Sequence, residues 1–596
     1  MNALRAMRGV RPRNGRIIGG PPITARPSGI PLRGRAAAGL PEGDDRGIRE
    51  TDRAMSVSLE IPDAFNVTTA FVDHNLEAGR GDAVAIHAGD RRISYGELAA
   101  QINRAGNALR GLGVRPEERV FMLLLDSPEF VYVFWGAMRA GAVPVPTNTA
   151  LRPHDYAYML RDSRARTLVV SADLVPVVGP VLEQAPDLRH VVVAGRMAAG
   201  AAAAGPPAAA HAGGHAPAWH ALDDLLSASS DRLAPAPTHR DEPAFWLWSS
   251  GSTGAPKGTV HLHHDMLWCA ELYGRRVLGI GPGDVCLSVA KLYFAYGLGN
   301  AGYFPMRAGA SAVLHPGRFD PAAYFGLIER YRPTLFFGVP TAYAAMLAAR
   351  GHESLGAVRR CVSAGEPLPA AIFTRWRERF GVEILDGIGS TEACHIYISN
   401  RPGRARPGSS GEVVPGYEVR IVDEGDRDLP DGAIGDLLVN GESVAAYYWN
   451  KHAQSRRAFA GEWFRSGDKY HRDGDGYYWY CGRTDDMLKV GGQWVSPAEV
   501  EATLMEHPAV LECGVVGCAD ADELVKPYAF VVLKTDSAAS DALGREIQAF
   551  VRDKIAAFKY PRWLEFVPEL PKTATGKIQR FRLRERVAKT AASASP

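Results

Sequence analysis

Five short segments of this 596-residue chain carry side chains that could do chemistry, and together they suit a nucleotide better than a covalent nucleophile. The first is Ser249-Ser250-Gly251-Ser252-Thr253-Gly254-Ala255-Pro256-Lys257-Gly258, which follows an apolar run at residues 245–248 and reads as a strand entering a loop. Small residues let backbone N–H groups approach phosphate oxygens, while the hydroxyls and Lys257 add donors and charge. No Gly-Lys-Ser/Thr triplet is present, which excludes a Walker-type loop and with it a P-loop kinase or GTPase. The second segment, Asp386-Gly387-Ile388-Gly389-Ser390-Thr391-Glu392, also follows an apolar run. A carboxylate beside a hydroxyl supplies the oxygen ligands that Mg²⁺ requires. The third and fourth, Trp463-Phe464-Arg465-Ser466-Gly467-Asp468 and Gly482-Arg483-Thr484-Asp485-Asp486, offer an Asp for sugar hydroxyls and an Arg for a sugar or phosphate. The fifth, Pro571-Lys572-Thr573-Ala574-Thr575-Gly576-Lys577, puts a cation in a Gly/Thr-rich turn near the C-terminus.

These segments need a scaffold, and the surrounding pattern predicts an α/β one. An apolar strand at 119–125, a helix at 128–139 and a further apolar run at 142–145 make a βαβ unit and imply a parallel sheet. Past residue 485 the pattern changes. Leu488-Lys489-Val490 and Gln493-Trp494-Val495 flank Gly491-Gly492 as a hairpin, and Ser496-Pro497-Ala498-Glu499 is a capping box that starts a helix. With β-rich runs at 510–517 and 528–533 and a helix at 547–555, residues 485–596 suffice for a small α+β domain after a large domain at 55–484. Residues 1–54 hold eleven Arg, no Lys and five acidic residues among many Gly and Pro, which predicts a disordered extension or a chain that naturally begins at Met55. An Ala/Gly/Pro/His-rich stretch at 198–218 reads as a surface insertion rather than a metal site.

Bulk numbers narrow the class. Charge is balanced, 68 Lys+Arg against 66 Asp+Glu, so a basic field for nucleic acid is absent. Seven cysteines without a C-x-x-C pair suit reduced thiols in the cytoplasm. No run approaches the roughly 18 apolar residues of a membrane span. His261, His263 and His264 form a strand-end H-x-H-H that lacks acidic partners for a metal; a structural role is favoured, with one of the three a candidate gate to a pocket.

In order and spacing, the five segments resemble the core motifs of the adenylate-forming superfamily, over nearly all of residues 61–584. Ala290-Lys291-Leu292-Tyr293-Phe294-Ala295-Tyr296-Gly297-Leu298-Gly299-Asn300, Glu392-Ala393-Cys394-His395-Ile396, Lys559-Tyr560-Pro561-Arg562 and the start Ile61-Pro62-Asp63-Ala64-Phe65-Asn66 are similar to the benzoate–CoA ligase and hydroxybenzoate–CoA ligase branch. The resemblance implies a large multi-subdomain N-terminal domain of mixed sheets with helices and a small C-terminal domain that rotates about a hinge at Asp485. It further implies that residues 249–257 (Ser249, Ser250, Gly251, Ser252, Thr253, Gly254, Lys257) cover the β- and γ-phosphates of ATP. Gly365, Glu366, Pro367, Asp386, Gly387 and Ile388 would line adenine, and Asp468 and Arg483 would hold ribose. Thr391 would reach the α-phosphate, Glu392 would bind Mg²⁺, and Lys577 would bridge the acid and ATP. Gly491 and Gly492 would lie against the pantetheine of coenzyme A.

For a small aromatic carboxylic acid the candidates are Ala295, Tyr296, Gly297, Val339, Gly389, His395 and Ile396, with His395 open between touching a ring hydroxyl and packing. The implied protein is a monomer or homodimer. Two alternatives stay open at the sequence level: an adenylating enzyme that loads a separate carrier protein, and a non-catalytic nucleotide-binding protein. The composition of the N-terminal extension yields a direct expectation. Removing residues 1–54 leaves steady-state turnover unchanged, and a large loss of activity in the shortened chain would give that segment a role.

Overall fold

The apolar run at the head of the βαβ pattern forms the strand Arg119–Leu123, followed by the helix Pro128–Arg139 and the strand Val143–Pro146. Val143–Pro146 lies parallel to the first strand, with Arg119 opposite Val143. The computed structural model describes residues 59–195 and 216–594, except 252, 253, 353, 485, 491, 492, 521–523, 536, 557 and 573–577. Ser252, Thr253, Asp485, Gly491, Gly492, Lys577, the extension 1–54 and most of the 198–218 stretch therefore lie outside the described residues.

The βαβ unit belongs to a five-stranded parallel sheet completed by Thr167–Ser171, His190–Ala194 and Ala218–Ala221. A second, nine-stranded sheet has a parallel centre. Val84–Ala88, Ser311–Val313, Val285–Ser288, Leu335–Gly338, Arg360–Ser363 and Ile384–Gly389 run side by side in that order. Antiparallel strands close its edges, among them Ile396–Ser399, which turns back along Ile384–Gly389. The central strands read as continuous apolar runs because helices cover them; Leu335, Phe336 and Phe337 are all fully buried.

The Gly/Ser-rich segment is not a strand entering an isolated loop. Pro243–Gly251 and Gly254–Leu262 pair antiparallel, with Ser249 opposite Lys257 and Gly251 opposite Gly254. Tyr447–Tyr448 adds a third strand to this hairpin. The ladder thus continues to Gly251 and from Gly254, and Lys257 stands on a strand rather than on a loop. A five-stranded antiparallel sheet follows, in which Trp463–Arg472 pairs with Tyr478–Arg483.

The smaller C-terminal domain has a core of its own, including Val500, Leu504, Val515, Val531, Ile547 and Val551. Leu488–Val490 pairs with Gln493–Val495. The helix Pro497–Met505 begins where its cap predicts, with Ser496 Oγ accepting from the Glu499 N–H at 3.1 Å. Only that half of the capping box forms. The Glu499 carboxylate turns instead to Lys559 Nζ, 2.7 Å from both oxygens, because a full charge outcompetes a neutral backbone N–H. Val510–Ala519, Val525–Leu533 and Trp563–Phe566 make the domain's sheet. All seven cysteines are unpaired and six are buried. Among the described residues, no helix is long and apolar enough to cross a membrane.

Candidate active site

The carboxyl ends of parallel strands in an open α/β sheet are where ligand crevices form, and the predicted pocket residues gather there. Val339 follows Leu335–Gly338, Gly365 follows Arg360–Ser363, Asp386 to Gly389 finish their strand, and Ala295, Tyr296 and Gly297 open the helix Ala295–Leu298 after Val285–Ser288. Tyr296 ties these ends together. Its hydroxyl donates to the carbonyls of Gly338 (3.1 Å) and Val362 (3.0 Å). A β-carbon at Gly389 would stand 2.4 Å from the His395 carbonyl, so the two antiparallel strands can approach there only with glycine.

His395 is buried against Tyr273, Tyr296 and Phe304, with ring centroids 4.5–5.5 Å away. Its Nε2 faces two acceptors, the Tyr296 carbonyl and Asn300 Oδ1, each at 3.2 Å, and so donates. Burial pushes the ring's pKa down to about 3, which keeps it neutral. Its Nδ1 is then a buried acceptor with no hydrogen-bond partner among the described residues. Ile396 is buried beside it. Gly365 sits at φ +90° next to Val339, ahead of Glu366 and Pro367.

Asp386 is the most perturbed acid of the site. Burial drives its carboxyl up to about 8, against smaller opposing contributions from Ser363 and the backbone of Leu368 and Gly387. One of its oxygens, Oδ1, has no hydrogen-bond partner among the described residues. Such an atom at a strand end suits a ligand with an N–H to donate.

Thr391 and Glu392 lie between Ile384–Gly389 and Ile396–Ser399. Glu392 is buried, and its Oε1 accepts from the Tyr448 hydroxyl at 2.8 Å. The Lys257 ammonium sits 4.1 Å from the centre of the Tyr448 ring. Burial lowers the Lys257 pKa, the Glu392 charge opposes that shift, and Arg483 adds to it. The Gly254–Leu262 strand, the Thr391-Glu392 loop and Arg483 therefore meet in one place. Arg483 and Asp468 are cross-strand partners in register, with Nη1 3.0 Å from Oδ1. Gly467, at φ +76°, lets the guanidinium lie over the backbone; a β-carbon there would meet Nη2 at 2.8 Å.

No three His, Cys, Asp or Glu among the described residues gather into a metal cage. A divalent ion at Glu392 would take its remaining oxygens from phosphate and water, as Mg²⁺ does. The histidine segment needs a correction. His261 does have an acidic partner, since its Nδ1 is 2.7 Å from Asp265 Oδ2 in the next helix. His263 accepts the Val67 N–H at 3.2 Å and is structural. Tyr448 was invisible in the sequence pattern, because it joins the site from 56 residues past Glu392 through a strand of two residues.

The chain is similar to known proteins over most of its length. The family model described as AMP-binding enzyme matches residues 72–449, and that described as AMP-binding enzyme C-terminal domain matches residues 499–577. A benzoate–CoA ligase of Thauera aromatica is 48% identical over 531 residues, 88% of this chain and 97% of that protein. The solved anthranilate CoA ligase AuaEII, in complex with anthranoyl-AMP, superposes with a TM-score of 0.83 at 45% identity, over 89% of this chain and 99% of that one. A benzoate CoA ligase from Burkholderia xenovorans LB400 superposes with a TM-score of 0.79 at 46% identity, over 87% of this chain and 100% of that one.

Asp386 makes stability depend on pH in a way that needs no ligand. The ordinary carboxyl value is 3.8 and the folded one about 8, so between them the folded chain keeps a proton that the unfolded chain has released. The contribution of this group is full at low pH and is lost as pH rises toward 8. Thermal unfolding from pH 5 to 8 should show the wild type losing stability relative to Asp386→Asn, and parallel profiles would contradict the assignment.

Proposed function

The chain belongs to the AMP-binding enzyme family, and from that premise and the site's geometry we propose that it is an ATP-dependent aryl-CoA ligase acting on a benzoate-like acid. The observation that carries the reading is the meeting of Lys257, Glu392 and the Asp468–Arg483 pair beside strand ends where Tyr296 and His395 pack together. One side is built for a nucleotide and the other for a single planar ring.

The acid's carboxylate oxygen attacks the α-phosphorus of ATP, forming a mixed anhydride with AMP and releasing pyrophosphate. The coenzyme A thiol then loses its proton and attacks the carbonyl, and AMP departs with the bonding pair. Oxide is too poor a leaving group for direct thioester formation, and AMP replaces it. No enzyme nucleophile is needed, in keeping with the buried, unpaired cysteines.

In this reading the residues divide the work. Ser249 to Lys257 cover the β- and γ-phosphates, and Lys257 offsets their charge. Asp468 and Arg483 hold the ribose, and Asp386 with Gly387, Ile388 and Gly365 to Pro367 lines adenine, whose exocyclic amine suits the unmatched Asp386 oxygen. Thr391 reaches the α-phosphate. Glu392 would hold Mg²⁺, which neutralises phosphate charge when bound. Tyr296, Val339, Gly389, His395 and Ile396 surround the ring, with Ala295 and Gly297 at its edge. Lys577 bridges carboxylate and ATP in the first step. The small domain turns about Asp485 between steps, bringing Gly491 and Gly492 to the pantetheine arm. The free thiols suit a cytoplasmic enzyme. Carrier loading is the weaker alternative, because the relatives above are CoA ligases.

Benzoate, hydroxybenzoates and aminobenzoates assayed for AMP release should give at least one acid whose turnover needs both ATP and coenzyme A. Release with aliphatic acids alone would overturn the aryl assignment. Lys577→Ala should abolish adenylation, by at least about 100-fold, and spare thioester formation from supplied aryl-adenylate. Equal loss of both half-reactions would count against the role of Lys577.

A further inference from the structure

Three successive carbonyls of the loop that carries Thr391 and Glu392 are held from outside it. The Glu392 carbonyl accepts from the Ala445 N–H at 2.7 Å, and the Ala393 carbonyl accepts from Ser443 Oγ at 2.9 Å. The Thr391 carbonyl accepts from a side chain on the phosphate-side hairpin, His261 Nε2, at 2.8 Å. His261 is fully buried and stacked on Phe245, with centroids 4.8 Å apart and planes within 13°. Its other nitrogen, Nδ1, lies 2.7 Å from Asp265 Oδ2, which also accepts the Leu262 N–H at 3.2 Å. A carbonyl thus faces Nε2 and a carboxylate faces Nδ1. A ring held at both nitrogens and on one face has a single orientation.

We infer that Asp265 and His261 form a positioning pair for the adenylation half-reaction. They touch no substrate. Asp265 orients His261, His261 fixes the Thr391 carbonyl, and the Thr391 hydroxyl and Glu392 carboxylate are thereby set against the hairpin that carries Lys257. Within the loop the Thr391 carbonyl also accepts the Cys394 N–H at 3.2 Å, and the contacts from His261, Ser443 and Ala445 complete its register. The inference rests on the reading of Thr391 and Glu392 as the groups that handle ATP. It extends that reading by placing the control of their geometry about 130 residues away in sequence.

The test separates the half-reactions. His261→Phe keeps the stack on Phe245 and loses both polar contacts; His261→Gln keeps a side-chain N–H within reach of Thr391. The Phe variant should slow acid-dependent ATP–pyrophosphate exchange, or raise the KM for ATP, by about 10- to 100-fold, the scale of a misplaced catalytic group. It should leave thioester formation from supplied aryl-adenylate within about twofold. The Gln variant should recover most of the loss, and Asp265→Asn combined with His261→Phe should be no worse than His261→Phe alone. Equal loss in both half-reactions, additive losses in the double variant, or unchanged exchange would each overturn the inference. Should His261→Phe fail to fold, His261→Gln and Asp265→Asn carry the same comparison against wild type. Glu392→Gln, run alongside, tells the two readings apart. If it abolishes exchange while His261→Phe does not, only the positioning pair falls. If it leaves exchange intact, the ATP role of the loop falls as well.

Discussion

Glu392 is a carboxylate drawn out of bulk water, and such a group persists in a fold only when hydrogen-bonded and balanced by charge. The Tyr448 hydroxyl supplies the first and Lys257 the second, with Lys257 resting on the Tyr448 ring. This one arrangement requires three separate pieces of chain to converge. The Gly254–Leu262 strand brings Lys257, the return between Ile384–Gly389 and Ile396–Ser399 brings Glu392, and the short strand Tyr447–Tyr448 brings the phenol while pairing with the Lys257 strand. The nine-stranded sheet and the hairpin are in this sense locked to each other through the site. In the proposed function, phosphate arriving there meets a lysine already desolvated and a carboxylate already held, so little reorganisation remains at the moment of reaction.

A second constraint shapes the acid side. The strand ends are walled by aromatic rings whose polar atoms are mostly committed to the protein: Tyr296 to two carbonyls, and His395 through Nε2 to a carbonyl and an amide oxygen. Burial keeps His395 neutral, so it offers no charge to a carboxylate. In the proposed function the acid's carboxylate is therefore favoured beside Lys257 and Glu392, with its ring against Tyr296 and His395.

Much of this was legible in the sequence, for a physical reason. Residues suited to approach phosphate or turn the chain at a strand end are few in type, so the segments of Lys257, Glu392, Asp468 and Arg483, which the structure brings together, stand out in the sequence. What stayed hidden depends on tertiary approach. Tyr448 sits in an Ala-Ala-Tyr-Tyr-Trp-Asn run with no pattern of its own. Asp265 lies in the first turn of a helix, so its carboxylate returns to a strand residue, a contact that period-two reading of H-x-H-H cannot reveal. The end of the apolar run at 245–248 suggests a loop after it, yet pairing with the Gly254–Leu262 strand continues the ladder to Gly251. Half of the Ser496 capping box was lost to Lys559, whose position 60 residues later no local rule could weigh.

The central claim is that activation by ATP precedes and does not need the thiol. Isotope exchange between pyrophosphate and ATP, measured without coenzyme A, tests it most directly. The account predicts exchange that depends on an aryl acid and stops when the acid is omitted, with thioester forming only once coenzyme A is added. Exchange that ignores the acid, or that appears only when coenzyme A is present, would contradict it.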